Sequence, residues 1–152
     1  IRYPGIISHQ SMPGGGTTDY AVDIYHKAVE GKHFECFLKA DTTLPMIYMN
    51  DALDATVRLM EASAEKIKLR TSYNLAGMSF SPQEVAASIQ QLIPDFTISY
   101  KPDFRQAIAD SWPETIDDQA ARLDWGWRPT YNLDSMTAEM IAELSKKNSV
   151  LI

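Results

Sequence analysis

Cysteine is almost missing from this 152-residue sequence: Cys36 stands alone. A single thiol excludes a disulfide framework and a cysteine-based zinc site. Histidine is scarce as well. His9, His26 and His33 are scattered, and neither H-x-x-x-H nor H-E-x-x-H occurs, so no metal is expected. Basic residues are outnumbered, 14 Lys and Arg against 20 Asp and Glu, for a net charge of -6. The longest basic run is the pair Lys146-Lys147, a poor match to a phosphate backbone, so nucleic acid is not expected as a partner. No apolar run approaches the roughly 18 residues that mark a membrane-spanning helix. There is no G-x-S-x-G elbow, no P-loop, no internal repeat and no low-complexity segment.

What is present suits a globular domain. The chain is 45% hydrophobic and 22% charged. At this size roughly 68–70% of the unfolded surface can be buried, enough for a core without staples. Length favours one domain, with two small ones possible. The sequence opens at Ile1 inside an apolar run (Ile1, Tyr3, Ile6, Ile7), with no signal or transit character. Such a start reads as part of a longer chain.

Strands and helices alternate along the sequence. Residues 1–8 form a strand that Pro4-Gly5 must interrupt. Residues 9–16 are a turn-rich loop ending in Gly14-Gly15-Gly16. Thr17 or Thr18 caps a helix to Glu30, with Gly31 as its stop. A short strand follows at 34–38, and 45–49 is another strand or the lead-in to a helix. Asn50 or Asp51 caps a helix to Ala62, and 73–76 is a buried strand. Ser81-Pro82-Gln83-Glu84 combines a capping box with proline at the first helical position, and Pro94 ends that helix. Phe96, Ile98 and Tyr100 alternate with polar residues as a half-exposed strand. Asp117 or Asp118 opens a short helix, Gly126 and Pro129 make a turn, and a last helix runs through Leu144. The fold class is α/β or α+β.

Few residues point to chemistry by themselves. Asp117-Asp118 reads as a helix cap, and Trp125 and Trp127 read as core. Gly14-Gly15-Gly16 is not G-x-G-x-x-G and reads as a flexible turn. Trp112, in the proline-bounded segment Asp110-Ser111-Trp112-Pro113, can pack in a core or line a pocket.

The order of motifs resembles the extended short-chain dehydrogenases/reductases. Arg2-Tyr3-Pro4-Gly5 is similar to their R-Y-x-N strand end. The stretch from Leu44 to Ala52 is similar to their R-D-F-V-Y-V-D-D segment. Tyr73-Asn74-Leu75-Ala76-Gly77 resembles their Y-N-I-G strand, and 117–129 their closing D-x-x-x-A-x-x-x-L-G-W-x-P signature. Within that superfamily, two runs resemble the short-chain L-threonine 3-dehydrogenases in particular. These are Pro13 to Ala21, similar to P-x-x-G-T-T-D-Y-A, and Asp103 to Pro113, similar to D-F-R-Q-x-I-A-D-S-W-P. Nucleotide-sugar epimerases usually carry an Arg-Pro-Gly-Asp-like motif in the second place.

The resemblance implies the C-terminal, substrate-binding part of a Rossmann-type fold without its N-terminal dinucleotide-binding half. Residues 1–8 would be the last strand region of the NAD-binding domain, 9–145 the substrate-binding domain and 146–152 a frayed tail. It implies NAD as cofactor, L-threonine as substrate, 2-amino-3-oxobutyrate as product and a homodimeric parent. The general base of that family is a tyrosine in Tyr-x-x-x-Lys. None of the seven tyrosines here has lysine four residues on. The base and the Gly-rich NAD loop would lie upstream of Ile1, so the chain alone is expected to be inactive, with no catalytic residue of its own. Carried over by motif, Gly16, Thr17, Thr18 and Trp112 would bind substrate, and Pro4, Gly5 and Ile6 would lie against the nicotinamide. Arg105, Asp110 and Ser111 would tie down the Trp112 segment. A cytoplasmic location is expected, with the mitochondrial matrix as the alternative. A nucleotide-sugar epimerase or dehydratase, or a truncated non-catalytic binding protein, are the competing readings.

Overall fold

The structure, a computed structural model, describes residues 1–150. Eleven elements follow in the order β1 (Gly5–Ile7), α1 (Tyr20–Val29), β2 (Phe34–Cys36), β3 (Leu44–Tyr48), α2 (Met49–Glu61), β4 (Met78–Phe80), α3 (Pro82–Leu92), β5 (Ile98–Tyr100), α4 (Arg105–Ala109), α5 (Gln119–Trp125) and α6 (Leu133–Val150). One sheet has the order β1-β3-β4, with β1 parallel and β4 antiparallel to β3. A second pairs β2 with β5 in parallel. Within residues 1–8, Gly5–Ile7 pair with Met46–Tyr48.

Every residue of β3 is buried. Successive side chains of a strand face opposite ways, and β3 accordingly serves two cores. Leu44, Met46 and Tyr48 join the larger one, where α1, α3 and α6 pack together. Ile47 joins the smaller one with Ala52, Ala55, Tyr73, Leu75, Trp125 and Trp127. Trp125 and Trp127 are thus core residues, as their sequence context suggested. Gly77 is needed where this strand is approached most closely. A Cβ there would lie 2.7 Å from the Met46 carbonyl oxygen and 2.9 Å from the Ile47 Cα, atoms that cannot step aside.

Several local expectations need correction. Neither Thr17 nor Thr18 caps α1; Asp19 occupies that position, without a side-chain cap of its own. The α2 helix starts directly from β3, with Tyr48 at the N-cap. Asp51 is instead buried at 2% exposure. Its carboxylate accepts the Thr130 and Tyr131 backbone N–H groups at 3.0–3.1 Å, pinning the turn before α6 to α2. Residues 73–76 contribute only an isolated bridge, Arg2 to Asn74, because the interruption at Pro4 leaves little strand to pair with. The α4 helix was not foreseen: five residues are too few for a periodic signal. The α6 helix continues to Val150, through most of the segment expected to fray; residues 151 and 152 lie outside the described residues.

The Ser81 start holds. The Glu84 carboxylate accepts the Ser81 N–H at 2.7 Å and its hydroxyl at 2.9 Å, with Pro82 at the first helical position. Gly31 and Gly126 end their helices at positive φ, 66° and 79°. Along α2, Leu53, Val57 and Met60 are exposed, one turn apart. Among the described residues no helix is long and apolar enough to cross a membrane.

The tight approach at Gly77 makes a prediction. Gly77→Ala should destabilise the fold by about 1–3 kcal/mol, the usual cost of overpacking a close-packed site. Urea unfolding of the two proteins measures it, and equal midpoints would show that the strand can yield.

Candidate functional site

Four segments distant in sequence meet at one cavity of about 590 Å³: the end of the first strand region (Tyr3 to Ile6), Thr18, Pro45, and the stretch from Trp112 to Ile116. Its walls are largely apolar. Tyr3 and Ile6 are each 39% exposed and Trp112 is 42% exposed, large apolar surfaces left open to the hollow. Pro4 adds a face without a backbone donor.

Gly5 sets the distance between two of these walls. A Cβ on it would fall 2.5 Å from the Met46 sulfur and 2.8 Å from the Thr18 Cγ2. Only glycine lets the Thr18 methyl rest on the β1 backbone. Among the described residues the Thr18 hydroxyl has no hydrogen-bond partner, so it is available to something in the cavity.

The glycine loop is built differently from its sequence reading. Unpaired N–H groups at a Gly-rich loop would suit a carboxylate, but two of the three glycine amides are already used. The Asp19 carboxylate accepts the Gly14 N–H at 2.6 Å and the Gly16 N–H at 2.8 Å, both on one oxygen. Gly15 between them has φ 96°, a conformation natural to glycine. The loop is therefore a nest filled by its own helix's acid. Of the residues assigned to substrate, Thr18 and Trp112 line the cavity. Gly16 and Thr17 do not: Gly16 has its amide on Asp19, and Thr17 is buried away from the hollow. All three residues assigned to the nicotinamide, Pro4, Gly5 and Ile6, line it.

Trp112 is held by its own segment. Its N–H donates to the Ala109 carbonyl at 3.0 Å, and the Ser111 hydroxyl to the Ile108 carbonyl at 2.6 Å. Gln106, buried within α4, is a hub that the motif contained but no sequence rule singled out. Its Oε1 accepts the Lys39 N–H at 2.8 Å, and its Nε2 donates to Asp110 at 2.6 Å and to Thr42 at 3.0 Å. On its far side Trp112 borders a smaller polar hollow of about 280 Å³ with Lys39, Thr43 and Glu114. Arg105 pairs with Asp103 at 2.6 Å, and that hydrogen bond holds the Asp103 carboxyl below its usual range. Asp118, within the closing motif, accepts the Ala76 N–H at 3.2 Å and pairs with Arg122 at 2.6 Å, a structural role. Burial pushes the Cys36 thiol up to about 11, away from any nucleophilic use. Among the described residues no group of side chains could hold a metal ion.

A lowered folded-state pKa means that the Asp103–Arg105 pair supports the fold above the unfolded carboxyl pKa of about 3.9 and ceases to do so as pH falls through the folded value. NMR titration of Asp103 should give a midpoint below about 3.9 that returns to the ordinary range in Arg105→Met. An unchanged midpoint in the variant would assign the shift to another cause.

No family model matches the chain. Individual relatives do. A GalE-like L-threonine dehydrogenase from Cupriavidus necator, solved in apo form, is 59% identical with a TM-score of 0.93, over 95% of this chain and 52% of its own. The mitochondrial L-threonine 3-dehydrogenase of Bos taurus is 52% identical over 142 residues, 93% of this chain and 38% of its own length. An uncharacterized epimerase/dehydratase of Staphylococcus aureus is 48% identical over 151 residues, 99% of this chain and 47% of its own. A UDP-glucuronic acid 4-epimerase from Bacillus cereus, at 15% identity and a TM-score of 0.73, shares the fold alone. The chain spans about half the length of these proteins or less. By sequence and by fold it matches the C-terminal portion of GalE-like L-threonine dehydrogenases, which have the extended short-chain dehydrogenase/reductase fold.

Proposed function

We propose that this chain forms the substrate-side wall of an enzyme that oxidises L-threonine at C3 to 2-amino-3-oxobutyrate with NAD. The observation that carries this is the single cavity joining Pro4, Gly5 and Ile6 to Thr18 and Trp112. The relatives named as threonine dehydrogenases support it.

NAD, when bound, would accept the hydride released from C3. The residues of this chain fit one part of that cofactor. Pro4 and Ile6 offer an exposed apolar face without a donor on the proline, suited to a ring that loses its charge on reduction. They offer the pyrophosphate little, because the Gly14 and Gly16 amides of the triple-glycine loop are filled by Asp19. The proton-abstracting tyrosine and the phosphate loop must come from residues other than these 152.

Thr18 presents its hydroxyl, steadied by the methyl contact at Gly5, to a polar group of the amino acid. Trp112 closes the opposite side and keeps water from the reacting carbon, which strengthens every polar contact inside. Thr17 and Gly16 act behind this wall, as the backbone that places Thr18. The cavity lining contains no arginine, whereas a nucleotide diphosphate calls for a bidentate clamp. That disfavours a nucleotide-sugar substrate.

In a longer chain that adds the dinucleotide-binding portion, Trp112→Ala should raise the KM for L-threonine at least about tenfold, in line with losing a large buried aromatic contact. NAD affinity should change by less than about twofold. Equal losses for both ligands, measured by steady-state kinetics and calorimetry, would displace Trp112 from the substrate side. The purified 152-residue protein should show no threonine-dependent NADH formation, because no base of the required kind is present. Turnover above the blank in an absorbance assay at 340 nm would refute this.

A further inference from the structure

The cavity has two walls on separate pieces of chain: Thr18, after the triple-glycine loop, and Trp112, after α4. Each is well fastened locally, the loop by Asp19 and the Trp112 segment by Gln106 and Ser111. Neither set of contacts fixes one wall relative to the other. Arg105 does. It sits at the first position of α4, and its Nη1 donates to the Gly15 carbonyl at 3.4 Å. That carbonyl belongs to the one residue of the loop at positive φ, between the two amides that Asp19 holds.

The guanidinium has little freedom to be elsewhere. Its Nε and Nη2 fork onto the Asp103 carboxylate at 3.1 and 2.6 Å. Its Cζ lies 3.2 Å above the Phe37 ring centroid. Phe37 in turn meets Tyr20 edge-on, with centroids 6.4 Å apart. Tyr20 is fully buried and begins α1 two residues after Thr18. Arg105 therefore reaches the Thr18 loop by two routes, one through the Gly15 carbonyl and one through the aromatic pair. A planar guanidinium can stack and fork at once; an ammonium cannot.

We propose that Arg105 is a positioning residue that sets the separation of the two cavity walls: stacked on Phe37 and forked onto Asp103, it holds the Gly15 carbonyl and thereby fixes Thr18 opposite Trp112. Its consequence for catalysis rests on the threonine reading given above; its mechanical role does not. The surrounding contacts predict that loop order is lost with Arg105, beside the support that the Asp103–Arg105 pair gives the fold.

Two measurements test this. In the ¹⁵N-labelled 152-residue chain, Arg105→Lys and Arg105→Met should lower the backbone order parameters of Gly14, Gly15 and Gly16 from the rigid range near 0.85 to below about 0.6, while Gly126 keeps its value. Unchanged glycine order in both variants would overturn the proposal, and so would full recovery with lysine. If neither Arg105 variant folds, Asp103→Asn replaces them: it leaves the stack and weakens the fork, and it should lower the same three values, whereas no change would overturn the proposal. In the longer dehydrogenase chain, Arg105→Lys should raise the KM for L-threonine about tenfold, with kcat and the KM for NAD within about twofold. A uniform loss in all three parameters would mark a purely structural residue and overturn it. Should the unsubstituted longer chain fail to oxidise threonine, the functional reading falls, and the order parameters alone decide the role of Arg105.

Discussion

Gly5 lies where the β1 backbone, the Met46 side chain and the Thr18 methyl come together, with room for a hydrogen and nothing larger. That contact fixes how far the start of α1 can stand from the sheet. On one side it seats β1 against β3, whose Met46 faces Gly5 in register. On the other it turns Thr18 so that its methyl is spent on packing and its hydroxyl is left over. The apolar wall of Tyr3, Pro4 and Ile6 then stands beside a single polar group, the combination of broad apolar surface and few polar contacts common in small-molecule sites.

The rest of the site is an arrangement for holding two loops still. Asp19 turns the glycine loop back on its own helix, and Gln106 knits α4 to the chain at Lys39 and Thr42. Three of these bonds join a side chain to the backbone and one joins two side chains, each worth about 1 kcal/mol or a little more when charged. Their value is in geometry rather than stability. A hydroxyl and an indole that face each other across a cavity select a ligand only if their separation is constant.

Much of this was legible in the sequence where the signal is local. The capping box at Ser81–Glu84, the stop at Gly31, the turn at Gly126, and the burial of Trp125 and Trp127 follow from residue types at fixed offsets. What was not legible depends on partners far along the chain. Asp51 looks like a cap because it follows a strand and precedes an apolar run, yet its carboxylate is taken by amides 79 and 80 residues away. Asp19 looks like an ordinary first-turn acid, and its hold on Gly14 and Gly16 gives no periodic trace. The same holds for Arg105 and Phe37, whose stacking brings together segments with no pattern in common. Trp112 and Thr18 were singled out by resemblance, and the fold sets them around one hollow; Gly16 and Thr17, carried over on the same grounds, are not among its lining residues.

The central claim is that an amino acid sits between Thr18 and Trp112, against the face of Pro4 and Ile6. A crystal structure of a longer chain carrying these residues and the dinucleotide-binding portion, grown with NAD and L-threonine, tests it most directly. The account predicts the amino acid in this cavity, with the Thr18 hydroxyl about 3 Å from one of its polar atoms and the Trp112 ring closing over it. An amino acid bound elsewhere, with Thr18 and Trp112 touching only solvent, would contradict it.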